Sequence, residues 1–283
     1  CYNGLSIAGG GFTLPRMRLY ECSLDAKGPE DFLENELPKY IDLQLEYMDK
    51  RVKFIVEQSN FFKTNFLVTE GFVKQENFTG MFGVVGLAEC CNHLLGITDK
   101  KKGFGMNEEA TKLGIRIMDA IEKRVSEHVA PYCDAFDHHY RLHAQVGINT
   151  DGMDDSPGTR IPIGEEPDEL IDHLKNISLF HKYFPSGTGD IFPVDLTVHR
   201  NPHYVLDIIR GAMKMDIYGA DAERILQIRE IALELPQACT DYLRHIAVTT
   251  SAFTRLAYAI AYDCIDPQQL RSDFGAKHVE GLY

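Results

Sequence analysis

The stretch Met81-Phe82-Gly83-Val84-Val85-Gly86-Leu87-Ala88-Glu89 decides the fold class. Met81 to Gly86 is an apolar, glycine-bounded segment that reads as strand or turn, and Leu87 to Leu95 continues as a helix. Upstream, Leu37, Ile41, Leu45, Met48, Val52 and Ile55 recur at steps of three and four and mark one face of a long amphipathic helix. Gly28-Pro29 breaks the chain before it, and Asn65 to Thr69 (NFLVT) reads as a short strand. Strands mixed with helices give an α/β class.

Downstream, residues 99–107 form a polar, glycine-containing loop. Asn107 can cap the next helix, where Glu108 and Glu109 suit the positive end of the dipole. Leu113, Ile117, Ala120, Ile121 and Val125 lie on one face of that helix, and Pro131 ends it. Residues 143–194 hold five of the 12 prolines and read as short strands and structured loops. Asn201-Pro202 opens another helix, and residues from Asp221 onward read as a mostly helical tail.

The chain has 283 residues, 44% hydrophobic and 25% charged, enough for a sizeable core. Its 42 acidic and 29 basic residues leave a net charge of −13, which argues against nonspecific nucleic-acid binding or attraction to an anionic membrane. No apolar run reaches the roughly 18 residues of a membrane span. Seven cysteines (1, 22, 90, 91, 133, 239, 264) without disulfide-framework spacing fit free thiols in a reducing cytoplasm. The abrupt start at Cys1 reads as a fragment or a chain cut at an internal point.

Several chemistries fail on residue type and spacing. Gly9-Gly10-Gly11 lacks both the Lys-Ser/Thr of a phosphate loop and the GxGxxG of a dinucleotide site, and reads as a tight turn needing positive φ. No G-x-S-x-G occurs. His139 and His143, with His138 adjacent, could hold a metal if helical, but no matching carboxylate accompanies them. Cys90 and Cys91 point about 100° apart on a helix, so a disulfide between them is strained. They read as one buried and one polar-facing thiol, or as a redox or radical pair near His93.

Three stretches together carry a resemblance. They are Cys1 to Leu14 (CYNGLSIAGGGFTL), Met81 to Glu89, and Leu142 to Ile148 followed by Pro157-Gly158-Thr159-Arg160-Ile161-Pro162 and Gly164 to Asp168. Ser186-Gly187-Thr188-Gly189-Asp190-Ile191 and Arg200-Asn201-Pro202 lie nearby. In order and approximate spacing these resemble the YjjI-type glycyl radical enzymes, related to pyruvate formate-lyase and anaerobic ribonucleotide reductase. The resemblance runs over residues 1–218, with 219–283 a helical tail outside it. It implies part of a ten-stranded α/β barrel with surrounding helices, and anaerobic thiyl-radical hydrogen abstraction on an unknown small molecule. It also implies a glycyl radical installed by a radical-SAM activating enzyme, with no other cofactor bound by this chain.

By the same resemblance Cys1 is the thiyl candidate, while Asn3, Gly10, Glu89 and His143 face the substrate. The family's long segment before the loop cysteine and its R-V-x-G-[YF] motif are not found in this chain. A partial barrel implies open strand edges and association with a complementary chain or a second copy. Two rival readings stand beside this one: a non-catalytic interaction module, and a cysteine- or metal-dependent enzyme using Cys90, Cys91, His93 or the His138/His139/His143 group.

Without the radical motif the 283-residue chain is expected to stay blank in electron paramagnetic resonance after anaerobic treatment with a matching activating enzyme and S-adenosylmethionine. A doublet that disappears in Gly219→Ala would overturn that expectation.

Overall fold

The apolar run around Phe82 is the central strand of a parallel sheet, and its burial on every residue explains its composition. The computed structural model describes residues 8–144 and 155–190, with residues 207, 208, 211, 212 and 215. All of these fall in one compact unit, Asn3–Ala220. In chain order the main elements are β1 (Gly10–Thr13), β2 (Arg16–Arg18), α1 (Leu19–Ser23), α2 (Leu37–Lys53), β3 (Phe78–Val85), α3 (Leu87–Leu94), α4 (Glu108–Glu127), β4 (Arg141–His143) and α5 (Leu170–His181).

Among the described strands every pairing is parallel. Thr13 pairs with Gly80, Arg16 with Gly83 and Arg18 with Val85, so β1 and β2 are two segments of one run along the same edge of β3. Pro15, between them, has no N–H for the ladder, while its carbonyl accepts from the Gly83 N–H at 2.9 Å. On the other edge Met81, Phe82 and Gly83 pair with Arg141, Leu142 and His143. All eight residues of β3 are buried, as expected for a parallel strand covered on both faces. Parallel neighbours require crossovers, and α1–α2 and α3–α4 supply them. Among the described residues the sheet is open, and the expected ten-stranded barrel is not seen there.

The periodic stripe of α2 is core. Leu37, Ile41, Leu45, Met48 and Val52 are all buried. Gln44 on the same face donates to the Gly83 carbonyl at 3.2 Å, capping a polar group of the sheet. The helix begins earlier than its periodicity indicates: Pro29–Asp31 is helical and Phe32–Glu36 is a π-turn leading into Leu37. A wider turn there accommodates the N–H missing from Pro38. In α4 the Asn107 side chain accepts from the Ala110 N–H at 3.0 Å, the expected cap. Leu113, Ile117, Ile121 and Val125 are buried, with Ala120 at the margin.

Four expectations are corrected. Asn65–Thr69 is not a strand; Phe66–Thr69 is a helical turn whose cap, Asn65, accepts from the Leu67 N–H at 2.9 Å. Phe66 is 65% exposed, so no sheet neighbour exists to reward extension. Gly10 and Gly11 do not adopt positive φ but lie in β1. What they supply is room, since a Cβ at Gly10 would stand 2.5 Å from the Phe78 ring and one at Gly11 2.6 Å from the Met81 methyl. Within 143–194 the loops contain a 12-residue helix, α5, whose buried face includes Leu174, Ile177 and Phe180. Finally, His138 and His139 are not helical and His143 is in β4, so the i, i+4 metal geometry does not form. The expected helix at Asn201-Pro202, the tail from 219, Cys239 and Cys264 lie outside the described residues.

Candidate active site

The carboxyl ends of β2, β3 and β4 come together, the end at which parallel α/β sheets bind ligands. Gly86 follows β3 with φ of 76°, a left-handed conformation suited to glycine, and opens α3. A Cβ there would stand 3.3 Å from Asp155. The turn is held by residues 156–158: the Gly86 N–H donates to the Ser156 carbonyl at 2.8 Å, and Val85 bridges to Pro157.

This turn places Glu89 in the first turn of α3. One carboxylate oxygen, Oε1, accepts from the Ser156 N–H at 2.9 Å. The other, Oε2, is buried with no hydrogen-bond partner. Burial pushes the Glu89 carboxyl above the usual carboxylate range, opposed by the Ser156 hydrogen bonds and reinforced by nearby Asp155. Asp155 itself accepts from Arg18 Nε at 2.9 Å, which ties the end of β2 to the same loop.

His143 ends β4 and is 1% exposed. Its Nδ1 lies 3.0 Å from the Ser186 carbonyl. Because that oxygen only accepts, Nδ1 carries the proton and Nε2 presents a lone pair. Nε2 is buried and has no partner. Burial lowers the His143 pKa, keeping the ring neutral. The segment bearing Ser186 follows β4 edge to edge, through Ser186 N–H to the Leu142 carbonyl at 3.2 Å and Ala144 N–H to the Gly187 carbonyl at 3.0 Å. The two halves meet where Gly158 approaches Ala144, since a Cβ on Gly158 would stand 2.6 Å from the Ala144 Cβ.

Of the residues expected to face substrate, the structure brings Glu89 and His143 to the same end of the sheet. Gly10 pairs with Phe78 at the opposite end of β3, roughly 25 Å of strand away from Gly86. The close fit of Phe78 explains this glycine without a ligand. Cys1 and Asn3 lie outside the described residues. Cys90 and Cys91 are both fully buried, correcting the expectation of one polar-facing thiol. Burial pushes the Cys90 thiol up to about 12, and Cys91 well above its ordinary value, so neither supplies a thiolate. His139 is held at Nδ1 by the His128 carbonyl and His138 faces Asp134. Among the described residues no three His, Cys, Asp or Glu side chains form a metal-binding group.

Sequence reading missed Arg18, Asp155, Ser156 and Ser186. Only the glycine-rich runs around Pro157 and Ser186 signalled that their backbones approach other chain segments closely.

Glu89 yields a stability prediction. A carboxyl with a raised folded-state pKa favours folding when protonated, and that contribution is lost as pH rises through the folded value. Glu89→Gln removes the charge and keeps an acceptor for Ser156. The variant is expected to be more stable than the parent at pH 7 by on the order of 1 kcal/mol, with the advantage gone below about pH 4. Urea melts at the two pH values measure it, and a variant less stable at pH 7 would refute the ionisation account.

The arrangement of strands and helices is similar to that of two anaerobic ribonucleotide reductases. A crystal structure of the anaerobic ribonucleotide reductase from Thermotoga maritima, with citrate in its active site, superposes with a TM-score of 0.54 at 11% identity, over 74% of this chain and 38% of that one. A second anaerobic ribonucleotide reductase gives 0.53 at 12% identity, over 72% of this chain and 33% of that one. The fold is therefore similar to that of the anaerobic ribonucleotide reductases.

Residues 1–223 match the model of the family described as glycyl radical enzyme YjjI-like, and the chain belongs to that family. An uncharacterised protein of Haemophilus influenzae is 43% identical over 217 residues, 76% of this chain and 42% of the relative. The uncharacterised protein YjjI of Escherichia coli is 37% identical over 214 residues, 76% of this chain and 41% of the relative. The chain thus spans about two-fifths of the length of these relatives.

Proposed function

We propose that this chain carries part of the reaction site of a glycyl radical enzyme, in which Glu89 and His143 handle the protons of a small hydroxyl-bearing substrate. The observation that carries the reading is the pair of buried, partnerless polar atoms, Glu89 Oε2 and His143 Nε2, at the carboxyl end of one parallel sheet. Buried polar atoms are normally satisfied, and a ligand is what such a site satisfies them with. In this family's chemistry a radical-SAM activating enzyme installs a glycyl radical, which generates a cysteine thiyl. The thiyl takes a hydrogen atom from a substrate C–H bond, leaving an S–H and a carbon radical. Cys1 is the residue we propose for that role, with Asn3 as a substrate contact.

Hydrogen-atom transfer leaves the substrate's hydroxyl protons to be managed separately. Neutral His143 accepts a hydroxyl proton or hydrogen bond at Nε2, while the raised Glu89 carboxyl retains its proton nearer neutrality and donates to a substrate oxygen. Two titratable groups with environments pushing them in opposite directions form an acid–base pair, and their exclusion from water protects a radical intermediate. Such chemistry belongs to an oxygen-free cytoplasm.

The test is ligand perturbation, with [15N]histidine- and [13C]glutamate-labelled chain titrated with glycerol and with lactate. The His143 Nε2 and Glu89 carboxyl resonances are expected to shift together and saturably, with the Glu89 response weakened at least tenfold in His143→Phe. Both resonances unmoved by either compound would overturn the assignment.

A further inference from the structure

The loop segments 156–160 and 186–190 have so far explained only backbone contacts, yet each ends in a buried charge. Asp190 keeps only 2% of its side chain exposed. Its Oδ1 forms an ion pair with Arg160 Nε at 3.3 Å, and its Oδ2 lies 3.3 Å from His173 Nε2. Arg160 and His173 are 5% and 3% exposed. A buried carboxylate is tolerated only when its charge is matched, so these three groups hold one another in place. They belong to three different pieces of chain. Arg160 ends the segment whose Ser156 N–H holds Glu89. Asp190 ends the segment whose Ser186 carbonyl holds the His143 ring. His173 is on α5, which packs against α4.

We propose that Asp190 is a positioning residue that clamps the loop behind Glu89 to the loop behind His143 through Arg160 and His173. The proposal rests on the reading of Glu89 and His143 as the reacting pair. The Ser186 carbonyl sets the His143 tautomer, and that carbonyl is four residues from the clamped carboxylate, across Gly187 and Gly189. Two glycines leave the segment little stiffness of its own. The ion pair adds a side-chain restraint to the two backbone hydrogen bonds that hold the segment against β4. If it peels, His143 loses its fixed proton at Nδ1 and the free lone pair at Nε2.

The experiment reads the His143 tautomer directly, without substrate or radical, so its failure is distinguishable from failure of the functional assignment. In [15N]histidine-labelled 283-residue chain, with the His143 signals identified by their loss in His143→Gln, the parent is expected to show one protonated and one bare ring nitrogen, widely separated in shift. In Asp190→Asn and in His173→Ala the two shifts are expected to draw together as the ring exchanges between tautomers. His173→Gln, which keeps an N–H donor toward Asp190, is expected to preserve the parental pattern. Tyr183→Phe, which removes a hydrogen bond to Asp119 on α4, serves as the destabilised control and is expected to leave His143 unchanged. Should Asp190→Asn fail to fold, the Ala and Gln variants of His173 decide the matter. An unchanged His143 pattern in His173→Ala, or the same disturbance in His173→Gln or Tyr183→Phe, would overturn the proposal.

Discussion

Phe82→Ala is expected to lose about 4 kcal/mol of unfolding free energy. Phe82 is fully buried and lies in mid-β3, directly opposite Leu142 of β4. Both faces of β3 are covered, and neighbouring Gly80 and Gly83 already admit the Tyr140 ring and the Pro15 backbone. The surroundings therefore have little freedom to collapse into the space a phenyl ring leaves, which is the condition under which cavity cost adds fully to lost transfer energy. A domain of ordinary stability has roughly 5–15 kcal/mol in total. Urea unfolding measures the loss as a lowered midpoint with an unchanged slope. A loss below about 1 kcal/mol would mean that β3 is not the centre of the core. Because β3 leads directly into Gly86 and Glu89, the same variant should also blur the Glu89 environment.

Acid should weaken the fold well above the pH at which most carboxylates titrate. Burial pushes His181 down to about 4 from an ordinary value of 6.5, with Asp190 pulling weakly the other way. A base whose folded-state pKa is depressed contributes fully above its unfolded value, and that contribution is lost as pH falls toward the folded one. The loss is about 2 kcal/mol by pH 5 and roughly 3 kcal/mol by pH 4. His143, shifted in the same direction, adds to it, while the raised Glu89 carboxyl opposes it with the smaller effect given above. The paired surface acids with lowered pKa values, Glu30, Asp31 and Asp42, act only at lower pH. Stability of the parent measured between pH 6.5 and 5 should therefore slope upward with pH, and His181→Gln should flatten most of that slope. Equal slopes in parent and variant would refute the buried, neutral state of His181.

How legible the molecule was follows from the range of the forces involved. The face of α2 and the Asn107 cap of α4 were readable because their causes lie within one turn of helix: apolar spacing in one, a side chain meeting a nearby N–H in the other. The strand at Met81 was readable because a fully buried parallel strand needs an unbroken apolar run. Phe66–Thr69 misled because its residue types favour extension, while the outcome depended on whether a sheet edge stood beside it. Leu170–His181 was hidden for a related reason. Its buried face is partly polar, with His173, Asn176 and His181 among the apolar residues.

Glu89 and His143 were named from sequence through family resemblance, and their chemistry came from elsewhere. By itself the amino-acid sequence determined the family, the α/β class and the glycine-bounded strand leading into Glu89, since these depend on residue identity and short-range pattern. Tertiary structure alone decided that Gly10 stands at the far end of β3 and that Cys90 and Cys91 are both sealed. It also decided that Ser156 and Ser186 hold the two candidate groups from distant parts of the chain. Burial and partnership are set by which segments pack together, and in a parallel sheet those segments are separated by whole crossovers.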